Sequence, residues 1–226
     1  MFEFPFDLLI LIAAGLFAGF VNTIAGGGSL LTLPLLIFLG LPPATANGTN
    51  RIAIFVSASA ATLGFRSKNI NSFPFSLYLG IAALLGALIG ARIAVEIDGL
   101  LFNKILAIIM IAVVFLMVLK PNYKSQLLEP KTTGKILIWS MVAFFFIGIY
   151  GGFINAGIGF IIMLFLNYVN KLDLVRVNAT KVALVLVYTT GALITFVLSG
   201  HINLEYGIAL AIGNAAGAFF ASRYAV

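Results

Sequence analysis

Two long stretches without a charged residue limit what this chain can fold into. No Asp, Glu, Lys or Arg occurs in the 43 residues between Asp7 and Arg51, or in the 35 residues between Lys135 and Lys171. A helix crosses a hydrocarbon core about 30 Å thick with about 20 residues. Each stretch is too long for one straight crossing, so each must break or turn back inside the membrane.

The composition supports a membrane environment for the whole chain. Charged residues make up 9% of the sequence and hydrophobic residues 62%, whereas soluble domains carry about 25% charged residues. We therefore predict an all-α, polytopic membrane protein. The 13 Lys and Arg residues fall mostly in short gaps between apolar segments rather than on one face, so nucleic acid is not an expected partner. The absence of cysteine excludes disulfides and thiolate metal sites, and we predict no metal and no cofactor.

Glycine-rich segments mark the positions of the two breaks. Residues 25–29 read A-G-G-G-S, and residues 155–159 read N-A-G-I-G. Glycine adopts backbone angles that a helix forbids and weakens a helix by about 1 kcal/mol relative to alanine. The other apolar segments predict continuous helices near residues 44–65, 74–95, 100–119, 177–198 and 205–226.

The two halves of the chain resemble each other in register. Before the breaks, matching residues of the two halves lie 133 positions apart, as Asn22 and Asn155 do. After the breaks they lie 131 positions apart, as Asn47 and Asn178 do. We predict a first repeat at 1–119, a cytoplasmic linker at 120–135 and a second repeat at 136–226. The helix at 100–119 has no counterpart before residue 226, so we expect the natural protein to continue through one more helix.

The basic loops predict how the helices are oriented. Loops 66–73 and 120–135 both carry cations and are two helices apart, so both are expected on the cytoplasmic side. If each broken segment is a hairpin, the loop with Lys171 and Arg176 also lies on the cytoplasmic side. If each broken segment instead crosses the membrane once, this loop lies outside. The positive-inside bias favours hairpins and two units of opposite topology. Such inverted repeats are typical of secondary transporters, which bind substrate at the broken helices near the midplane.

The polar residues near the breaks are the candidate binding groups. Helices starting at Ser29 and near Phe160 leave N–H groups free at the positive end of the helix dipole. A second polar cluster, A-N-G-T-N-R at 46–51, is matched by V-N-A-T-K at 177–181. Carboxylates are almost absent from the predicted membrane interior, which favours an anionic substrate. The candidate substrate-binding residues are Asn22, Gly26, Gly28, Ser29, Asn47, Thr49, Asn50, Arg51, Asn155, Gly157, Gly159, Asn178, Thr180 and Lys181.

Several of these residues have a structural alternative. The Asn and Thr side chains of the second cluster could cap helices, and Arg51 and Lys181 could extend to the membrane interface. Glycines spaced by four residues, as at Gly15 and Gly19, are typical of helix packing. Exposed interfacial anchors are expected at Arg92 and Arg223.

An enzymatic function is not predicted. A serine protease built on Ser29 would need a general base, and the single histidine, His201, falls in a predicted external loop. A transport-inactive scaffold would be expected to have continuous helices, in contrast to the two over-long stretches here.

The repeated pattern resembles that of a known family. G-F-V-N-T-I-A-G-G-G-S and G-F-I-N-A-G-I-G-F, followed by A-N-G-T-N-R and V-N-A-T-K, are similar to the TauE/SafE sulfite exporter family, also called the four-toluene-sulfonate uptake permease group. The chain differs in lacking the final helix and in its very short loops. The motif positions that match are Asn22, Gly26, Gly28, Asn47, Thr49, Asn155, Gly157, Gly159, Asn178 and Thr180.

This resemblance implies a substrate class and a location. It implies a secondary transporter in the bacterial inner membrane that exports sulfite or an organosulfonate such as sulfoacetate by alternating access. An uptake permease for a sulfonate or another small organic anion is the alternative, which the sequence does not separate from export. The expected partners are the small anionic substrate and the lipid bilayer, with a homodimer left open.

Overall fold

The computed structural model describes residues 4–118 and 129–224. Over these residues the chain forms helices and no strands. Residues 120–128 of the predicted linker, and the last residues of the helices predicted at 100–119 and 205–226, lie outside the described part. The helices are α1 (Phe4–Ala25), α2 (Ser29–Phe38), α3 (Pro43–Arg66), α4 (Phe75–Glu96), α5 (Gly99–Val118), α6 (Gly134–Phe153), α7 (Ile158–Tyr168), α8 (Leu174–Leu198) and α9 (Leu204–Tyr224).

Both predicted breaks occur, and each separates a long helix from a short one. α1 has 22 residues and α2 has 10; α6 has 20 residues and α7 has 11. The predicted continuous helices are confirmed within a few residues, except that α8 begins three residues earlier than expected. It begins there because the Asp173 carboxylate accepts a hydrogen bond from the Arg176 N–H at 2.9 Å and caps the first turn.

Six of the helices in the described part of the chain are long and apolar enough to cross a membrane: α1, α4, α5, α6, α8 and α9. α3 is as long but more polar, and its residues 46–51 are buried on every side. Residues 177–182 of α8, which lie 131 positions later, are buried in the same way. α3 and α8 therefore form the interior of the bundle, with the apolar helices around them.

Small residues allow two pairs of helices to pack in close contact. A Cβ at Gly19 of α1 would lie 2.1 Å from the Asn214 carbonyl oxygen of α9, and one at Gly90 of α4 would lie 1.9 Å from the Ile149 carbonyl oxygen of α6. Such distances leave no room for a side chain, as the packing interpretation of the spaced glycines predicts. Each close pair joins one half of the chain to the other.

These contacts also give the direction of each helix. α9 runs parallel to α1, because Gly213 faces Ile12 and the later residue Gly217 faces the later residue Leu16. α9 also runs parallel to α3, because its residue 207 faces residue 52 and its residue 222 faces residue 64. α1 and α3 therefore run the same way, and the segment between them returns the chain to the side where α1 began. α4 is parallel to both α6 and α8 by the same reasoning, so α6 and α8 also share one direction.

The interior helices α3 and α8 run in opposite directions. Gly48, near the start of α3, lies against Phe196, near the end of α8. Phe65, at the end of α3, shares a buried cluster with Ala179, near the start of α8. One end of the bundle thus carries loops 66–73 and 129–133 and the start of α8, which together line one cleft. We call this end, with Lys68, Lys131 and Arg176, the basic end.

Candidate functional site

The two breaks lie directly against each other in the interior. Gly26 has a φ of +77°, and a Cβ placed on it would lie 2.2 Å from the Gly159 carbonyl carbon. A Cβ on Gly159 would in turn lie 2.4 Å from the Cα of Gly26. Only glycine fits at either position. The first break therefore packs, backbone to backbone, on the start of α7.

Polar groups of the second break are satisfied by protein. The Ser29 hydroxyl, at the start of α2, donates to the Asn155 carbonyl oxygen at 2.8 Å. The Tyr150 hydroxyl donates to the Ala156 carbonyl oxygen. Non-helical backbone within a membrane requires such partners. Ser29 therefore joins the two broken segments.

Two buried cations bind the ends of the broken long helices. Lys181 of α8 donates to the Thr23 carbonyl oxygen near the end of α1 at 2.8 Å. Arg51 of α3 donates to the carbonyl oxygens of Gly151 and Gly152 near the end of α6, at 2.6 and 2.8 Å. Helix C-terminal carbonyls carry partial negative charge, so they compensate part of each buried positive charge. The interior helix of each half thus holds the broken helix of the other half.

The membrane-interface alternative for these two cations is wrong. Arg51 is 0% exposed and Lys181 is 2% exposed, and neither forms an ion pair with a described carboxylate. By contrast Arg92, predicted to be an interfacial anchor, pairs with Glu96 on the exposed surface at 3.1 Å. Arg51 and Lys181 lie well inside α3 and α8 rather than at the helix starts. The side chains of these two cations therefore reach backbone carbonyls in the interior rather than the interface.

Two asparagines orient the buried cations. The Asn47 side-chain oxygen accepts a hydrogen bond from Arg51 at 3.2 Å, and the Asn178 side-chain oxygen accepts one from Lys181 at 2.9 Å. The Asn47 amide nitrogen also donates to the Phe153 carbonyl oxygen at 2.6 Å. Both asparagines lie inside their helices rather than at the starts, so the helix-cap alternative is wrong for them.

The remaining members of the second polar cluster form other contacts. The Thr49 hydroxyl accepts a hydrogen bond from the Asn203 N–H at 2.9 Å, and the Asn50 side-chain oxygen accepts one from the Thr32 hydroxyl at 2.8 Å. Thr180 lines the cleft at the basic end. None of these three side chains reaches the central cavity described next.

A small internal cavity lies beside the second break. Its volume is about 20 Å³, which is enough for one water molecule. The residues that line it are Asn22, Thr23, Ser57, Ala58, Asn155, Ile158, Gly159, Lys181, Val182, Val185 and Tyr188. Ser57 is the fifteenth residue of α3 and Tyr188 the fifteenth of α8, so the cavity lies near the middle of both antiparallel helices.

The cavity brings together four of the predicted site residues: Asn22, Asn155, Gly159 and Lys181. It does not include the other ten. Four of these ten form the contact between the breaks or pack against α1 and α5: Gly26, Gly28, Ser29 and Gly157. The other six have the contacts given above: Asn47, Thr49, Asn50, Arg51, Asn178 and Thr180. Of the two helix starts that follow the breaks, that of α7 lines the cavity. The start of α2 does not, since Gly28 packs on α1.

Three polar residues of the cavity were missed from the sequence: Thr23, Ser57 and Tyr188. A signal for two of them exists. Ser57 and Tyr188 are 131 positions apart, the spacing of the predicted repeat. Ser57 follows Asn50 by seven residues, and Tyr188 follows Lys181 by seven residues. Residues seven apart lie on the same face of a helix. Tyr188 was therefore detectable as a polar residue on the face of α8 that carries Lys181, and Ser57 as its counterpart on the face of α3 that carries Asn50.

The cavity presents hydrogen-bond donors and one cation without a carboxylate. The side chains of Asn22 and Ser57, and the amide nitrogen of Asn155, form no hydrogen bond with another described residue. The Lys181 ammonium group adds a positive charge to the lining. Such a lining suits a ligand that carries negative charge and several acceptor oxygens.

A buried apolar cluster contributes Val182 to the lining of the cavity and Ala179 to the lining of the cleft at the basic end. This cleft has a volume of about 490 Å³ and extends along α8 to Ala179 and Thr180. The cluster, which we call the Phe65 cluster, consists of Ala61, Phe65, Ala179, Val182 and Ala218. On the opposite side of the cavity, Phe196 packs on Gly48 and lies 5.7 Å from the Arg51 guanidinium group.

Fold and site together define a class of protein: a polytopic helical membrane protein with a buried polar cavity where two broken helices meet. This arrangement is typical of secondary transporters. The sequence model of the sulfite exporter TauE/SafE family matches residues 11–226. The chain belongs to this family, and it is a multi-pass membrane transporter of the bacterial type.

The curated relatives are described as transporters without a named substrate. A probable membrane transporter protein of Haemophilus influenzae is 29% identical over 94% of this chain and 83% of its own length. A probable membrane transporter protein of a Sinorhizobium species is 28% identical over 100% of this chain and 86% of its own length. The probable membrane transporter protein YunE of Bacillus subtilis is 24% identical over 92% of this chain and 84% of its own length. No solved structure matches the chain.

Proposed function

We propose that this protein is a secondary transporter that exports a small sulfur-containing anion, sulfite or an organosulfonate such as sulfoacetate, by alternating access. The observation that carries the proposal is the central cavity. Lys181 lies there beside the side chains of Asn22 and Ser57 and the amide nitrogen of Asn155, which have no hydrogen-bond partner among the described residues, and the lining contains no carboxylate. We propose binding and translocation rather than catalysis, and we assign no catalytic residue.

The chemistry of the cavity supports an anion as the substrate. A buried cation that lacks a carboxylate partner costs desolvation energy, and a bound anion would offset part of that cost. Sulfite and sulfonate groups each offer three oxygens, which match the Asn22, Ser57 and Asn155 donors beside Lys181. The choice of sulfur over other oxyanions rests on the family and not on the geometry.

The directions of the helices support two units of opposite topology. The matched helices α3 and α8 are antiparallel, and the close pairs α1 with α9 and α4 with α6 are equivalent contacts between the halves. An axis in the membrane plane would relate the halves in this way, and inverted units of this kind open in turn to the two sides. We propose that the homologous halves rock around the contact between the breaks.

We propose that two phenylalanines close the cavity on its two sides. Phe65 and Phe196 are 131 positions apart and buried, and their contacts Ala179 and Gly48 are also 131 apart. With both sides closed, the cavity has room for one water and is too small for a sulfonate. We propose that opening the Phe65 cluster loads the site and that movement of Phe196 releases the substrate.

The cleft at the basic end supports export. It lies at the end that the positive-inside bias assigns to the cytoplasm, and its lining residue Ala179 belongs to the Phe65 cluster. A negative-inside potential favours the exit of an anion by about 2.3 kcal/mol per charge per 100 mV. Loading from the cytoplasm therefore needs no coupled ion to drive export.

A flux assay tests the proposal. The purified protein is reconstituted in liposomes loaded with labelled sulfite or sulfoacetate, and efflux is measured under a potential that is negative inside. We expect efflux that falls at least tenfold in Lys181→Met, because this change removes the only charge of the lining. Lys104→Met removes an exposed cation of α5 outside the cavity, so efflux should not change.

Two results would contradict the proposal in different ways. Transport of neither anion in either direction would refute the assigned substrate class. Uptake without efflux would instead support an uptake permease of the same fold.

A further inference from the structure

The two matched asparagines of the cavity are held differently. The Tyr188 hydroxyl, on a side chain that is 0% exposed, donates to the Asn155 side-chain oxygen at 2.7 Å. The Asn155 backbone is held as well, since Ser29 donates to its carbonyl oxygen. Asn22, at the equivalent position of the first half, has no hydrogen bond from its side chain to a described residue, and Ser57 lies where the second half has Tyr188.

The bond from Tyr188 decides which end of the Asn155 amide is available to a ligand. An asparagine side chain has an acceptor oxygen at one end and a donor nitrogen at the other. With the oxygen bound by the phenol, the NH₂ group is the end left for the cavity. Without this bond the amide could rotate by about 180° and present its oxygen instead.

We propose that Tyr188 is a positioning residue that determines specificity: it fixes Asn155 as a hydrogen-bond donor, so that the cavity accepts oxyanion oxygens and rejects ligands that present an N–H group at that point. The inference rests on the proposed function and names the residue that enforces it. Asn22, which has no such partner, adjusts to the rest of the substrate.

A pair of ligands with the same shape isolates this effect. Methanesulfonate presents three oxygens, whereas methanesulfonamide replaces one oxygen with an NH₂ group. A site with a fixed donor leaves two donors facing each other when the sulfonamide binds, and an unpaired buried donor is costly. Lys181 favours the charged ligand equally in the wild type and in a Tyr188 variant, so its contribution cancels when their affinity ratios are compared.

The experiment measures the dissociation constants of both ligands by calorimetry on the purified protein. We expect the preference for methanesulfonate over methanesulfonamide to fall at least tenfold in Tyr188→Phe, which removes only the hydroxyl. Tyr206→Phe is the matched control, since the Tyr206 hydroxyl bonds Asp7 outside the cavity; it should leave the ratio unchanged. A ratio in Tyr188→Phe within twofold of the wild-type ratio would overturn the inference.

A second variant keeps the inference testable if Tyr188→Phe does not fold. Asn155→Asp has the same shape and still accepts from Tyr188, but it presents an oxygen where the amide presented NH₂. Methanesulfonate affinity should fall at least tenfold, and an unchanged affinity would overturn the inference. Should the wild type bind neither ligand and transport neither sulfite nor sulfoacetate, the proposed function itself is wrong, and the inference with it. If the wild type binds methanesulfonate and one of the two folded variants lacks its expected effect, the inference alone is refuted.

Discussion

The contact between the two breaks can be tested with a single methyl group. In Gly26→Ala the new Cβ would lie 2.2 Å from the Gly159 carbonyl carbon and 2.5 Å from the Phe160 nitrogen, whereas ordinary contacts begin at 3.4 Å. The two breaks would have to separate by about 1 Å to relieve the overlap. Both nearest atoms belong to the backbone, so no side-chain rotation can avoid this shift.

Two energy terms contribute to the expected loss. A non-glycine residue in the left-handed region costs about 1–2 kcal/mol, and overpacking of a well-packed interior costs about 1–3 kcal/mol. We therefore expect Gly26→Ala to lower the free energy of unfolding by about 2–5 kcal/mol. Because the start of α7 lines the cavity, sulfonate binding should weaken as well.

A matched glycine separates these terms. Gly200 has a φ of +71°, close to the +77° of Gly26, but nothing lies within 4 Å of the position of its Cβ. Gly200→Ala should therefore show only the backbone cost, about 1–2 kcal/mol. The assay is denaturation of each purified variant in the same detergent, followed by helical circular dichroism. If Gly26→Ala loses no more stability than Gly200→Ala, the reasoning about the contact is refuted.

Other predictions concern the buried cation of α3 and the two closing phenylalanines. Arg51→Gln leaves the carbonyl groups at the end of α6 without their donor and should lower the free energy of unfolding by about 2–4 kcal/mol. Arg92→Gln is the control: Arg92 pairs with Glu96 on the exposed surface, so its loss should lower the free energy of unfolding by less than about 1 kcal/mol. Equal losses in the two variants would contradict the helix-holding role of Arg51. In a chain that carries Ser57→Cys, Phe65→Ala should speed the labelling of position 57 by an impermeant thiol reagent applied at the basic end, and Phe196→Ala should speed labelling from the opposite end. Faster labelling from the same side in both variants would refute the two-sided closure.

The architecture follows from quantities that can be read along the chain. The lengths of the charge-free stretches required a break in each, and glycine at residues 26–28 and at residue 157 placed the breaks within a few residues. Helix ends were less predictable: α8 begins earlier than expected because the Asp173 cap outweighs the apolar pattern used to place its start.

The site was predicted only in part, for a physical reason. Asn22, Asn155 and Lys181 could be recognised because polar groups in an apolar segment are costly unless they have partners or a function. Ser57 and Tyr188 reach the same cavity only because α3 and α8 are antiparallel and pack at one depth. The partners of Arg51 and Lys181 are backbone carbonyls at least 100 residues away, and backbone atoms leave no pattern in a sequence.

Accessibility of the cavity to a thiol reagent tests the central claim most directly. The chain contains no cysteine, so Ser57→Cys places a single reactive group in the lining with little change in shape. Ser67→Cys, on the exposed loop at the basic end, serves as the control. We predict that an impermeant thiol reagent applied at the basic end labels position 57 slowly, and that sulfoacetate protects it while leaving the labelling of position 67 unchanged. Labelling of position 57 at the same rate with and without sulfoacetate, at concentrations that support flux, would contradict the claim that this cavity binds the transported anion.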